Sequence, residues 1–223
     1  MARKKIGDSY EPAVATVAQE LRRAIFEGEL KPGTPVRQEA FAKALGVSRI
    51  PVREALRLLE SEGLVVLRPH SGARVATIGF EECEEIYKMR ERLEPLAFAE
   101  SVQHIDDEQI ATARELATEL EQLKGNTSGW LECDRRLHFA CYAGVTTPRL
   151  LRTIVGLWNA TQEAGVGLVA AFDADDYELQ QSEHRLMVDL LATGRARAGE
   201  DLVRMHVERS RLQLVESSNL FEH

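Results

Sequence analysis

The chain has 223 residues, 44% of them hydrophobic and 29% charged, with a formal net charge of −8 at pH 7. Such a composition belongs to a folded polypeptide of one large or two small domains. No apolar run approaches the roughly 20 residues of a membrane span, and the charged start at residues 1–8 has no apolar stretch of a secretory signal behind it. The average conceals a division. Residues 1–77 carry 13 Lys and Arg against 9 Asp and Glu, a net of +4, whereas the remainder carries 15 against 27, a net of −12. A basic end on an acidic body points to an anionic partner at that end. Cys83, Cys133 and Cys141 are odd in number and lack C-x-x-C spacing, so a reduced, cytoplasmic location is expected.

Residues 1–10 read as a mobile basic arm. Val14, Val17, Leu21 and Ile25 recur at spacings of three and four, which predicts a helix over 11–28, ended by Gly28 and the turn Lys31-Pro32-Gly33. A second short helix is expected over 38–45, broken by Gly46. Ser48 is placed to cap a third helix, and Pro51 falls in its first turn, where a backbone N–H has no intrahelical partner. Gly63 stops it. Two strands are expected at 64–67 and 73–78, around a turn at 68–72. Three helices followed by a β-hairpin make a winged helix-turn-helix over residues 11–78, the hairpin being the wing. From residue 79 to 216 the pattern is helical throughout: 80–102, a capping-box start at Asp106–Gln109 running to 124, 130–142 after a loop at 125–129, and 148–165. An acidic, flexible stretch at 173–176 then precedes a helix through 191, and a last helix spans 198–216. The expected fold is therefore mainly α, a winged helix-turn-helix followed by an all-α bundle of about six helices.

The third helix carries Arg49, Arg53 and Arg57 four apart, with Val52, Ala55, Leu56 and Leu59 on the other side. Such a helix rests on a core and offers guanidinium groups outward; the major groove of DNA admits it, and Arg is the commonest reader of guanine edges there. A solvated charged face paired with Glu54 or Glu60 is the plainer alternative. Residues 47–65, VSRIPVREALRLLESEGLV, together with Leu30-Lys-Pro-Gly33 and Arg68-Pro-His-Ser-Gly-Ala-Arg-Val75, resemble the DNA-binding head of the GntR family of bacterial transcriptional regulators. The resemblance implies that Ser48, Arg49 and Arg53 contact phosphates and base edges of a double-stranded operator. It also implies that the wing tip, His70 to Gly72, enters the minor groove. The family often has a basic residue ten before Arg49; here Glu39 stands there, and Arg37 is the expected substitute.

In the helical part, Asp134 and His138 are four apart on one predicted face, and His184 and His206 lie on the last two helices, 22 residues apart. One carboxylate and three imidazoles suit a divalent ion: Zn, Ni, Mn or Fe. Singly, each histidine reads as an ordinary core or surface residue. Arg90-Glu-Arg-Leu-Glu-Pro95, Asp134-Arg-Arg-Leu-His138, Pro148-Arg-Leu150, Glu183-His-Arg185 and Arg204-Met-His206 resemble the FCD-type ligand domain of the FadR-like GntR subfamily. Leu137 and Thr147 depart from its usual aromatic and Asn. The resemblance implies that Asp134, His138, His184 and His206 hold a metal and that a small carboxylate effector joins it. Arg90 is the expected second partner of that effector, or else pairs with Glu94 at the surface. The implied protein is a cytoplasmic homodimeric regulator, in the usual family case a repressor released from DNA by its effector. Two alternatives stand beside it. A metal-dependent hydrolase lacks a well-placed base, since Glu183 points about 100° from its neighbour His184. A purely structural ion is the other. Cys141, and the pairs Trp130/Trp158 and Phe139/Tyr142, read as packing.

Overall fold

The computed structural model describes residues 10–26, 28–68 and 72–216. They fall into two compact units that part between Ile78 and Gly79. The first contains α1 (Tyr10–Phe26), β1 (Pro35–Val36), α2 (Gln38–Leu45), α3 (Arg49–Ser61), β2 (Val65–Arg68) and β3 (Gly72–Val75). Its core joins Val17, Ala18 and Leu21 of α1 to Val52, Leu56 and Leu59 of α3, closed by Val65 and Val75 of the sheet. Arg22 of α1 grips Glu62 beyond the end of α3 through two hydrogen bonds, 2.7 and 2.5 Å. α2 stops at Gly46, whose φ of 68° is left-handed and whose N–H returns to the Ala42 carbonyl. A side chain there would be strained, so glycine sets the turn between the two helices.

β3 is the centre of the sheet, antiparallel to β1 with Val36 opposite Ala73, and antiparallel to β2 with Val65 opposite Val75. The two-residue β1 is too short to show alternation in sequence and was not expected. The second hairpin strand ends at Val75, not at 78; the Ala76 N–H makes a last bond, to the Leu64 carbonyl at 3.0 Å. The basic arm at residues 1–9, and Pro69, His70 and Ser71 of the wing tip, lie outside the described residues.

The second unit holds α4 (Phe80–Val102), α5 (Asp107–Gln122), α6 (Thr127–Cys141), α7 (Pro148–Ala160), α8 (Gln162–Ala170), α9 (Ala174–Ala192) and α10 (Ala196–Glu216). Among the described residues these are seven helices, where about six are expected from the sequence. The segment 148–165 breaks at Thr161, whose hydroxyl bonds back to the carbonyls of Leu157 and Trp158. α6 starts before residue 130 because Asn126 caps it by accepting from the Gly129 N–H. The acidic stretch at 173–176 is a capping box: Asp173 accepts from the N–H groups of Asp175 and Asp176. Asp106 and Gln109 form the other, at the start of α5.

α4 and α10 run antiparallel, because Gly199 meets Phe98 while Arg211, further along α10, meets Glu91 and Glu84, earlier on α4. A Cβ on Gly199 would stand 1.9 Å from Phe98 Cε1, and Phe98 is fully buried. Gly199→Ala is accordingly expected to destabilise this unit at the upper end of the ~1–3 kcal/mol of over-packing. Thermal unfolding followed by circular dichroism checks this; an unshifted midpoint would contradict the close approach.

Candidate functional site

Asp134 and His138 lie on one face of α6, four residues apart as the helix requires, and His184 of α9 and His206 of α10 come in from the opposite side. All four are buried. His138 Nε2 is 3.2 Å from His184 Nε2. Asp134 Oδ1 is 3.0 Å from His184 Nε2 and 3.8 Å from His138 Nε2. One ligand atom from each histidine lies within 4.8 Å of the others. With metal–ligand bonds of about 2.0–2.2 Å, neighbouring donors around one ion sit about 3.0–3.4 Å apart. The 3.0 and 3.2 Å contacts therefore match edges of a coordination polyhedron.

The electrostatics agree. Burial holds His184 below the ordinary histidine value, and drops His206 to about 4 in spite of its carboxylate neighbour. Both imidazoles are neutral at neutral pH and carry a lone pair, the form that binds metal. Burial pushes the Asp134 carboxyl up, but the His184 contact and the surrounding imidazoles leave it below the ordinary aspartate value. Among the described residues Asp134 Oδ1 and His184 Nδ1 are buried without a hydrogen-bond partner. A divalent ion would satisfy the first of these directly.

Around this set is an outer layer. His138 Nδ1 meets the Tyr142 hydroxyl at 3.1 Å, and that hydroxyl donates to Glu94 Oε2 at 2.8 Å. Arg90 Nε donates to Glu94 Oε1 at 2.6 Å, and its guanidinium lies 4.0 Å above the Trp158 ring. The Arg90–Glu94 pair is present but buried, where a surface pair was the alternative expected. Burial alone would raise the Glu94 carboxyl; Arg90 and His138 bring it down to about 2. On the other side His206 Nδ1 is 2.7 Å from Glu183 Oε2, and Arg209 holds the same carboxylate. A cavity of about 40 Å³ is lined by Arg90, Asp134, His138, Trp158 and His206, among others. That is room for about three waters.

On the other unit, Arg49, Arg53 and Arg57 are exposed along α3. Ser48 occupies the N-cap position in extended conformation, but its hydroxyl makes no capping bond and is exposed. Arg49 Nη1 pairs with Glu39 Oε1 at 2.9 Å, and Arg57 Nη1 with Glu54 at 3.0 Å. Arg53 has no ion-pair partner among the described residues. Arg37, the N-cap of α2, is exposed too, as is Gly72 at the start of β3. Ile50 is 61% exposed on this cationic side of α3.

Two family profiles match the chain: "Bacterial regulatory proteins, gntR family" over residues 13–75 and "FCD domain" over residues 85–209. The chain is a gntR-family regulator with an FCD domain. It is a DNA-binding transcriptional regulator and not an enzyme. The probable D-xylose utilization operon transcriptional repressor of Paenarthrobacter nicotinovorans is 30% identical over 200 residues, 86% of each chain. The uncharacterized HTH-type transcriptional regulator YdhC of Bacillus subtilis is 34% identical over 115 residues, 52% of this chain, and the match spans 51% of YdhC. Among solved structures, E. coli McbR/YncC superposes with a TM-score of 0.79 at 23% identity, covering 92% of this chain and 98% of that one, which shows a common fold. No described helix of the regulator is long and apolar enough to cross a membrane.

The FCD domain thus groups His138, His184 and His206, sets Asp134 against the first two of them, and lines the cavity beside them with Arg90. Cys141 is buried, its thiol pushed up to about 12 by burial, outside the cavity lining. The packing residues have a further part: Trp130 and Trp158 line the cavity, and the Tyr142 hydroxyl joins His138 to Glu94. Glu183 points away from its neighbour His184, as its place on the helix predicts, and meets His206 of the neighbouring helix. The spacings Arg90/Glu94 and His138/Tyr142, each four apart, were the available signal for this layer. No sequence signal pairs Glu183 with His206.

Proposed function

We propose that this regulator binds a two-fold operator as a homodimer and that a small organic acid, bound at a divalent ion in the FCD domain, releases it. The arrangement of four buried ligands, with donor spacings of 3.0 and 3.2 Å, carries the metal reading. Asp134, His138, His184 and His206 would hold the ion. Once bound, a divalent ion offers remaining coordination positions to a carboxylate. The cavity limits what reaches it: at about 40 Å³, it suits an acid of a few heavy atoms unless side chains move. Arg90 and Trp158 would flank that acid. On the DNA side Ser48, Arg49, Arg53 and Arg37 would meet phosphates and guanine edges, and Ile50 a thymine methyl. The wing tip with His70 and Gly72 would meet the minor groove. The D-xylose operon relative, a repressor by name, favours repression as the sense of control.

Elemental analysis of protein purified without added metal tests the core of this reading. About one divalent ion per chain is expected in the wild type, and none in His184→Ala. Wild-type protein that carries no ion and takes up none on addition would overturn it. A purely structural ion is separated by chelation: it would melt the FCD domain while leaving operator release by small acids unchanged in the protein that remains folded.

A further inference from the structure

We infer that Glu183 is a positioning residue for the metal centre: it locks His206 with its proton on Nδ1, so that Nε2 is presented to the ion. The inference rests on the metal reading above, and it adds a residue outside the expected ligand set. An ionised carboxylate only accepts hydrogen bonds. At 2.7 Å, His206 Nδ1 must therefore be the donor to Glu183 Oε2; in the neutral imidazole, the form that binds a metal, this leaves Nε2 without a proton. A free neutral imidazole favours the other tautomer, with the proton on Nε2, where it would block coordination. Glu183 reverses that preference before any ion arrives.

The geometry around Glu183 fits this task. Arg209 donates to both of its oxygens, from one turn further along α10 than His206. The carboxylate is thereby oriented and its charge offset within the site. A buried ion pair of this kind is often replaceable by apolar residues without loss of stability, so folding alone does not call for it. The three histidines also differ. His138 has its Nδ1 on the Tyr142 hydroxyl, whose own proton goes to Glu94. His184 Nδ1 has no hydrogen-bond partner among the described residues. Two ligands are oriented from outside by a glutamate, one directly and one through a tyrosine, and Glu183 is the direct case.

The test uses the full-length protein, its Glu183→Ala and Glu183→Gln variants, and Zn²⁺ as the probe. Long-range ¹H–¹⁵N spectra of the metal-free wild type are expected to show His206 with its proton on Nδ1. Gln keeps an acceptor oxygen and should retain that pattern; Ala should lose it. Zn²⁺ affinity, read by competition with a chromogenic chelator, is expected to fall about 10–100-fold in Glu183→Ala and less in Glu183→Gln. Wild-type His206 protonated on Nε2 overturns the inference, as does a Glu183→Ala variant that melts earlier yet binds Zn²⁺ as tightly as the wild type. A wild type that binds no Zn²⁺ fails the metal reading instead, and the spectrum of the metal-free protein still decides the tautomer.

Discussion

Glu94→Ala is expected to destabilise the FCD domain by about 3–5 kcal/mol, the cost of leaving a buried charge without its partner. Arg90 is buried, its Nε bonded to Glu94 at 2.6 Å, and the same carboxylate accepts from Tyr142 at 2.8 Å. Removing Glu94 leaves the buried guanidinium without its counter-charge and the Tyr142 hydroxyl with His138 as its remaining partner. At roughly 2–4 °C per kcal/mol for a domain of this size, the melting midpoint should fall by about 10 °C. The double variant Arg90→Met/Glu94→Leu should recover most of that loss, because it removes the charge together with its counter-charge. The pair of measurements separates a buried ion pair from a simple loss of packing. If the double variant melts as low as Glu94→Ala, or the single variant melts like the wild type, the pair is not what holds this part of the domain.

Arg53→Ala and Arg49→Ala are expected to weaken operator binding by about 1–3 kcal/mol each where the side chain reads a guanine edge, roughly five- to 150-fold. The two should not respond alike. Arg53 has no ion-pair partner among the described residues, whereas Arg49 is paired with Glu39 at 2.9 Å. Glu39 sets a negative charge beside the proposed phosphate-facing surface and takes part of Arg49's charge. Glu39→Gln should therefore tighten binding to non-operator DNA and steepen the salt dependence by up to about 0.9 in the log–log slope, the contribution of one phosphate contact. Fluorescence anisotropy with operator and scrambled duplexes, over a range of salt, reads all three variants. Arginine variants that bind operator and scrambled DNA as the wild type does would remove α3 from the DNA interface. An unchanged salt slope in Glu39→Gln would mean that its pairing with Arg49 is broken in the complex.

Local rules made much of this protein legible from its residues. Helix α3 declares itself because a 3.6-residue period puts Val52, Leu56 and Leu59 on one side and three arginines on the other, and that period needs no partner to be read. Gly46, Asp106 and Pro148 mark ends of helices for equally local reasons: a left-handed turn, a capping side chain, a first-turn proline. The four proposed ligands were within reach in part: Asp134 and His138 share a face by spacing, but only the resemblance to the FCD-type domain picks His184 and His206 out of the six histidines. Tertiary structure decided the rest. The break at Thr161 and the short strand β1 depend on contacts too few or too distant to leave a periodic trace. In sequence Arg90 reads equally as an effector contact or as a surface partner of Glu94; packing buries the pair with Glu94 and lays the guanidinium on Trp158 beside the cavity. Helical geometry turns Glu183 away from His184. Only the packing of α9 against α10 supplies the residue it does face, His206, because which side chains meet across two helices is set by their register and crossing, and neither is encoded in the spacing along one chain segment.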